Sequence, residues 1–191
     1  MFAHFETNNS FVEEDLMYRL NSILPKDIAI LSLFKVNAKA HARFDAVSRT
    51  YLYRISLHKN VFTFEKSFFV KQKLDVLKMN EAAQFLLQYK DFQCFSKSNT
   101  DVKTYHCNIM FANWKIVNGE LQFTIKADRF LRNMVRAIVG TLINIGLNKM
   151  EVNFMHEIIK SKDRGEAGFS VPAHALYLQN VEYLESLKYN E

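Results

Sequence analysis

Three arginines, Arg129, Arg132 and Arg136, recur at i, i+3 and i+7 in the stretch Lys126–Gly140, which reads K-A-D-R-F-L-R-N-M-V-R-A-I-V-G. On a helix that spacing sets them near one another on one face. Grouped guanidinium groups suit an anion, because each planar fork can donate to two oxygens of a carboxylate or phosphate. Phe130, Leu131, Met134, Val135, Ile138, Val139, Leu142 and Ile143 make the other sides apolar, as expected of a core helix. Arg136 lies deepest in that run and therefore calls for an anionic partner, since arginine is rarely buried unpaired. The competing interpretation is the ordinary solvated edge of a core helix.

Other chemistries find little support. There is no P-loop, no G-x-G-x-x-G and no G-x-S-x-G elbow. His4, His41, His58, His106, His156 and His174 are scattered without metal-ligand spacing, so no metal site is expected. Cys94 and Cys107 imply neither a disulfide framework nor a zinc site. Asp45 and Asp128 each have a cationic neighbour, Arg43 and Arg129, and read as ion pairs of a loop and a strand end.

The elements that must position these groups alternate in type. Phe2–Thr7 reads as the tail of a strand. Ser10-Phe-Val-Glu13 reads as a capping box that opens a helix to about Leu24, stopped by Pro25. Ile28–Val36 reads as a buried strand and His41–Arg49 as a loop rich in cations. Thr50–Leu57 is a strand with Tyr51 and Tyr53 on one face and Leu52 and Arg54 on the other. Asn80 is expected to cap a helix to about Tyr89, followed by a loop over Asp91–Lys97. Asn118-Gly119 predicts a type I′ hairpin between Cys107–Val117 and Glu120–Lys126. The arginine-bearing helix is expected to end near Gly146 in a left-handed cap. A helix over Val152–Lys160, a charged loop over Lys162–Gly168 and a strand over Ala175–Tyr183 complete the chain.

This order predicts an α+β fold, a mostly antiparallel sheet covered by helices. With 191 residues, 49% hydrophobic, and only 5 Gly and 2 Pro, a substantial ordered core is expected. A net charge of +5 leans toward a polyanionic partner. No apolar run reaches membrane-spanning length and no signal peptide is visible, so a cytoplasmic location without membrane association is expected.

Several pieces occur in a telling order: His41-Ala-Arg-Phe44, Arg49-Thr-Tyr-Leu-Tyr53, Asp91-Phe…Phe95, Phe130-Leu-Arg-Asn-Met-Val-Arg-Ala-Ile-Val-Gly140 and Ala167-Gly168…Ala173…Ala175-Leu-Tyr-Leu178. Together they resemble the TruA family of tRNA pseudouridine synthases, from about His4 to Tyr183. The resemblance implies the pseudouridine synthase fold and isomerisation of uridine to pseudouridine in the tRNA anticodon stem-loop. In that reaction an aspartate attacks the target nucleotide, the glycosidic bond breaks, and the freed uracil turns and rejoins through carbon 5, without metal or cofactor. It implies that Tyr51 contacts the target base and that Arg136 pairs with the nucleophilic aspartate. Tyr51, Arg43, Arg49, Arg129 and Arg132 are the expected substrate-binding residues, with Lys97 and Lys103 further candidates for tRNA phosphates. It also implies a homodimer.

One departure stands out. The family's nucleophile sits in a Gly-Arg-Thr-Asp-Ala-Gly-type loop that does not occur here, and alignment places it upstream of Met1. The chain is accordingly expected to comprise a remainder of the N-terminal half, residues 1–45, and a complete C-terminal half, residues 46–191. By itself it is expected to be inactive, either as part of such an enzyme or as a non-catalytic RNA-binding remnant.

Overall fold

The computed structural model describes residues 1–98 and 102–184. The chain forms two compact units, Met1–Ala46 with the C-terminal residues from Tyr183 onward, and Val47–Glu182. The element order is α1 (Glu13–Ile23), β1 (Ala46–Ser56), β2 (Phe68–Phe69), α2 (Val76–Phe85), β3 (Ile109–Val117), β4 (Glu120–Ala127), α3 (Met134–Gly146), α4 (Phe154–Ser161) and β5 (Leu176–Tyr183). The expected α+β class is found.

The sheet has five strands in the order β2-β1-β4-β3, with β5 also paired to β1. The β1–β4 and β3–β4 pairs are antiparallel and β1–β2 is parallel, so the sheet is mixed. Asn118 and Gly119 both take positive φ, 50° and 79°, as the hairpin between β3 and β4 demands. Directly opposed residues share a face, so Tyr51, Ile125 and Ala112 line up, as do Tyr53, Phe123 and Trp114. On that face Tyr53, Phe123, Ile125 and Trp114 join α3 residues such as Met134, Ile138 and Leu142 in one core. The opposite face carries polar pairs such as Arg54 with Glu120, 2.7 Å apart.

The alternation of Tyr51 and Tyr53 against Leu52 and Arg54 therefore holds, while several local expectations are corrected. Asn80 does not cap α2. Asp75 does, its Oδ1 accepting from the Lys78 backbone N–H at 3.2 Å. Asn80 lies inside the helix and covers the outer edge of β3. Its Oδ1 accepts from the Trp114 N–H at 2.7 Å, and its Nδ2 donates to the Trp114 carbonyl at 3.1 Å. One turn on, Gln84 donates to the Ala112 carbonyl at 2.9 Å. Two amide side chains at i, i+4 thus occupy backbone groups that an edge strand would otherwise leave open. Gly146 does end α3, but not in a left-handed conformation. A Cβ there would come within 2.5 Å of Met79 Sδ, so the glycine is needed for close packing of α2, and Asn148 takes the positive φ instead.

The first unit departs further. The capping box is not formed, because Val12 occupies the N-cap position of α1 and no side chain caps it. Among the described residues Ile28–Val36 and Phe2–Thr7 form no strand, Val36 alone making a single bridge. Instead, Asn21 fastens the return of the chain, its Oδ1 accepting from the Ile30 N–H at 2.7 Å and its Nδ2 donating to the Ile30 carbonyl at 2.9 Å. The Tyr183 hydroxyl donates to the Ala42 carbonyl at 2.6 Å, and the Phe2 ring lies 4.9 Å from the Tyr183 ring.

Candidate nucleic-acid interface

The arginines do not share a helical face. Arg129 and Arg132 lie in the turn before α3, and only Arg136 is on the helix. The break comes at Asn133, whose φ of 70° is left-handed and cannot be continued as a right-handed helix. The polar residues nonetheless gather where the C-terminal end of β4 meets the start of β1. Arg49 Nη1 donates to the Asp128 carbonyl at 2.6 Å. Asp128 Oδ1 accepts from the backbone N–H groups of Asn108 and Arg129, both at 2.7 Å. Asp128 is therefore a fastener of the strand end and not an ion-pair partner of Arg129, a correction that the i, i+1 adjacency had concealed. The Arg132 carbonyl accepts from the Lys97 N–H at 3.0 Å, which brings the Asp91–Lys97 segment to the same turn. Arg132, Lys97 and Lys103 are exposed, and Arg49 and Arg129 are half-buried.

Tyr51 is half-buried and meets Phe130 edge to face, with ring centroids 5.2 Å apart. This geometry steadies the tyrosine ring by the edge-positive, face-negative charge pattern of the pair. Two residues along the same face, Tyr53 is fully buried and its hydroxyl donates to the Pro172 carbonyl at 2.9 Å. Burial holds that hydroxyl well above its ordinary range, with the nearby Arg136 pulling the other way. Tyr53 stays protonated and is a brace.

Arg136 is held twice by one residue. Its Nε donates to the Val171 carbonyl at 2.6 Å, and its own carbonyl accepts from the Val171 N–H at 3.3 Å. Arg136 is half-buried and not buried as its place in the apolar run suggested, its partner is a backbone dipole, and among the described residues no carboxylate pairs with it. With Nε so fixed, the guanidinium is held in one orientation, and the hydrogen bond to Val171 does not use its terminal nitrogens.

The segment bearing Val171 is itself pinned to α3 by two glycines that the sequence reading gave no structural role. A Cβ on Gly140 would sit 1.8 Å from the Phe169 carbonyl oxygen, and one on Gly168 would sit 2.5 Å from the Thr141 nitrogen. The Gly168 N–H donates to Thr141 Oγ1 at 2.8 Å. Arg164, another residue the sequence reading passed over, donates through Nη1 to the Gly168 carbonyl at 3.1 Å and through Nη2 to Ser170 Oγ at 2.9 Å. Ser170 Oγ also accepts from Asn133 Nδ2 at 2.6 Å, so the left-handed Asn133 is tied to the same segment. The signals in the sequence were the charged loop over Lys162–Gly168 and the place of Gly140 and Gly168 in the family's motifs, neither of which gives their contact.

Arg43 belongs to the first unit, where its guanidinium lies over the Phe44 ring at 5.8 Å. Beside it, Asp45 Oδ2 accepts from the His41 N–H at 2.7 Å. Asp45 thereby closes the turn over His41–Asp45.

The fold and its site define an α+β domain that sets an aromatic ring and several arginines, one of them rigidly anchored, around one strand end. The chain belongs to the tRNA pseudouridine synthase family, whose model matches residues 82–184. It is 47% identical to tRNA pseudouridine synthase A of Parabacteroides distasonis over 190 residues, covering 98% of this chain and 75% of that protein. It is 51% identical to the enzyme of that name from Porphyromonas gingivalis, covering 90% of this chain and 69% of that protein. With that from Bacillus pumilus the identity is 38%, covering 94% and 74%. Family members are isomerases, and no helix among the described residues is long and apolar enough to cross a membrane.

Proposed function

We propose that this chain carries the base-holding and tRNA-binding part of a TruA-type pseudouridine synthase acting on the anticodon stem-loop. The observation that carries the reading is the anchored Arg136, whose Nε is tied to Val171 by a bond that does not use its terminal nitrogens. In the reaction the family resemblance implies, these nitrogens meet an anion, the nucleophilic aspartate. An ionised carboxylate in a site that excludes water gains from a preorganised cation beside it. Tyr51, steadied by Phe130, packs on the uracil once the nucleotide is turned out of its stack. Arg43, Arg49, Arg129 and Arg132, with Lys97 and Lys103, hold the phosphates.

The carboxylate itself is not among these groups. The chain contains no Gly-Arg-Thr-Asp-Ala-Gly-type loop, and Asp128 is committed to backbone N–H groups. We therefore propose that these 191 residues bind tRNA but form no pseudouridine by themselves. The same observation supports the second reading, a non-catalytic RNA-binding remnant. A cytoplasmic location, a homodimer, and the division into residues 1–45 and 46–191 as parts of two halves belong to this proposal.

The test is binding of an unmodified tRNA transcript across a salt series, with pseudouridine read chemically in the same samples. Affinity should fall steeply, with a slope in log K against log salt of about −3 if roughly four phosphates are neutralised. No pseudouridine should form. A flat salt dependence would remove the tRNA reading, and quantitative pseudouridine would show that a nucleophile is present after all.

A further inference from the structure

We infer that the loop His58–Lys66, between β1 and β2, is a second RNA-binding surface on which Phe62 and Phe64 stack unpaired bases flanking the target nucleotide. The inference rests on the tRNA-binding reading above and extends it to nucleotides that the Tyr51 site does not reach.

Phe62 and Phe64 are 85% and 69% exposed, with Val61 at 71% between Lys59 and the rings. Among the described residues neither ring has an aromatic partner. The alternation Val-Phe-Thr-Phe would suit a strand with one buried side. The loop instead closes on itself. Asn60 Oδ1 accepts from the Phe62 N–H at 2.9 Å, and the Thr63 carbonyl accepts from the N–H groups of Lys66 and Ser67, both at 2.9 Å. Ser67 Oγ donates to the same carbonyl at 3.0 Å. The base of the loop is clamped from β5 and the turn before it. The Tyr177 hydroxyl donates to the Lys66 carbonyl at 2.8 Å, and His174 Nε2 lies 3.3 Å from the Ser67 carbonyl oxygen. The rings are thus displayed from a hydrogen-bonded frame, which lowers the ordering cost of a ligand that stacks on them.

Exposed aromatics on a rigid loop mark an interaction surface, and the charge around them indicates the occupant. Lys59, Lys66, Lys71 and Lys73 are exposed here against one carboxylate, Glu65, with His58 alongside. Cations interleaved with open aromatic faces are the platform on which single-stranded RNA binds, phosphates on the lysines and bases on the rings. Position supports the same occupant. Val171 receives Arg136 Nε, and three residues further on His174 meets Ser67. Three residues of extended chain span at most about 11 Å. The loop base is therefore within reach of nucleotides flanking one held at Arg136.

The test uses the chain with Phe62→Trp. The sole native tryptophan, Trp114, is 2% exposed in the core and so is shielded from a stacking base. Titration with unmodified tRNA should quench the new tryptophan along the same curve as binding. Phe62→Ser with Phe64→Ser should weaken tRNA binding about tenfold or more at fixed salt, because each base stack is lost. The salt slope should stay unchanged, because the lysine contacts remain. The urea midpoint read from Trp114 should also stay put, as both rings face solvent. Unchanged affinity in the double variant, or no quenching, overturns the inference and leaves the tRNA reading intact. Failure of the wild-type chain to bind tRNA overturns both. If the double variant instead loses self-association by light scattering, or binding to anionic phospholipid vesicles, with tRNA affinity unchanged, the loop serves another partner and the inference falls.

Discussion

Helices α1 and α3 are of similar length, 11 and 13 residues, yet α1 buries none of its residues and α3 buries eleven. Both have apolar residues at helical spacing. The difference lies in what each meets. The α3 residues Met134, Ile138 and Leu142 enter the core shared with β1, β3 and β4, while two glycine approaches lock its other side to the segment around Phe169. In the first unit, among the described residues, the stretch Ile28–Val36 forms no strand, and Ile23 and Leu31 stand 79% and 88% exposed. Periodicity nominates a face for burial, but only a facing layer turns that nomination into stability. Arg136 projects from the buried helix, its Nε held by the Val171 carbonyl.

Three measurements would break or sharpen this contrast. The largest effect is expected from Leu142→Ala, which should cost about 2–5 kcal/mol by removing fully buried atoms and leaving a cavity. Leu20→Ala on the half-buried side of α1 should cost about 1 kcal/mol or less and leave the Trp114-reported urea midpoint in place. Equal losses would show that α1 is packed as firmly as α3.

The thiols report the second effect. Burial pushes Cys94 up to about 12 and Cys107 up to about 11, from 9.0. At pH 8 native thiolate, and with it the rate of modification by a thiol-specific disulfide reagent, should be about a hundredfold or more below that in urea. The sign for stability follows. The folded state keeps protons that the unfolded state releases near pH 9, so stability is full below pH 9 and declines as pH rises toward 11 to 12. Rapid native modification at pH 8 would mean that the packing around these residues opens readily.

The smallest effect compares two helix starts. Asp75→Ala should cost about 1 kcal/mol, because Asp75 accepts from the Lys78 N–H. Ser10→Ala should change nothing measurable by thermal unfolding, because Ser10 caps no helix. A loss at Ser10 would reinstate the capping box.

Much of the second unit was legible from local pattern. The Asn118-Gly119 turn, the period-two strand around Tyr51 and Tyr53, and the apolar run of α3 each rest on interactions within a few residues of sequence. The site residues were nominated in two ways, Arg136 by its place in the apolar run and Tyr51 only through the family resemblance. The arginine stripe did not form, because one left-handed residue, Asn133, ended the helix that the spacing assumed. Ser170 and Gly168 were not legible, since their roles consist of hydrogen bonds and close approach to residues 27 to 37 positions away, and Arg164 acts only by bracing these two, 4 and 6 positions on. Asn80 was misjudged for the same reason, its partner lying on a strand 34 residues further on.

By itself the sequence determined the α+β class, the hairpin, the core helix, the basic balance and the ordered motifs of the family, because these depend on side-chain type and short-range spacing. Tertiary structure alone decided which apolar faces were buried, that Arg136 rests on the Val171 carbonyl, and that Gly140 and Gly168 let two backbones touch. It alone decided that Phe62 and Phe64 stay open to solvent. The physical reason is that burial, close approach and long-range hydrogen bonds depend on which surfaces meet, and no local pattern encodes that meeting.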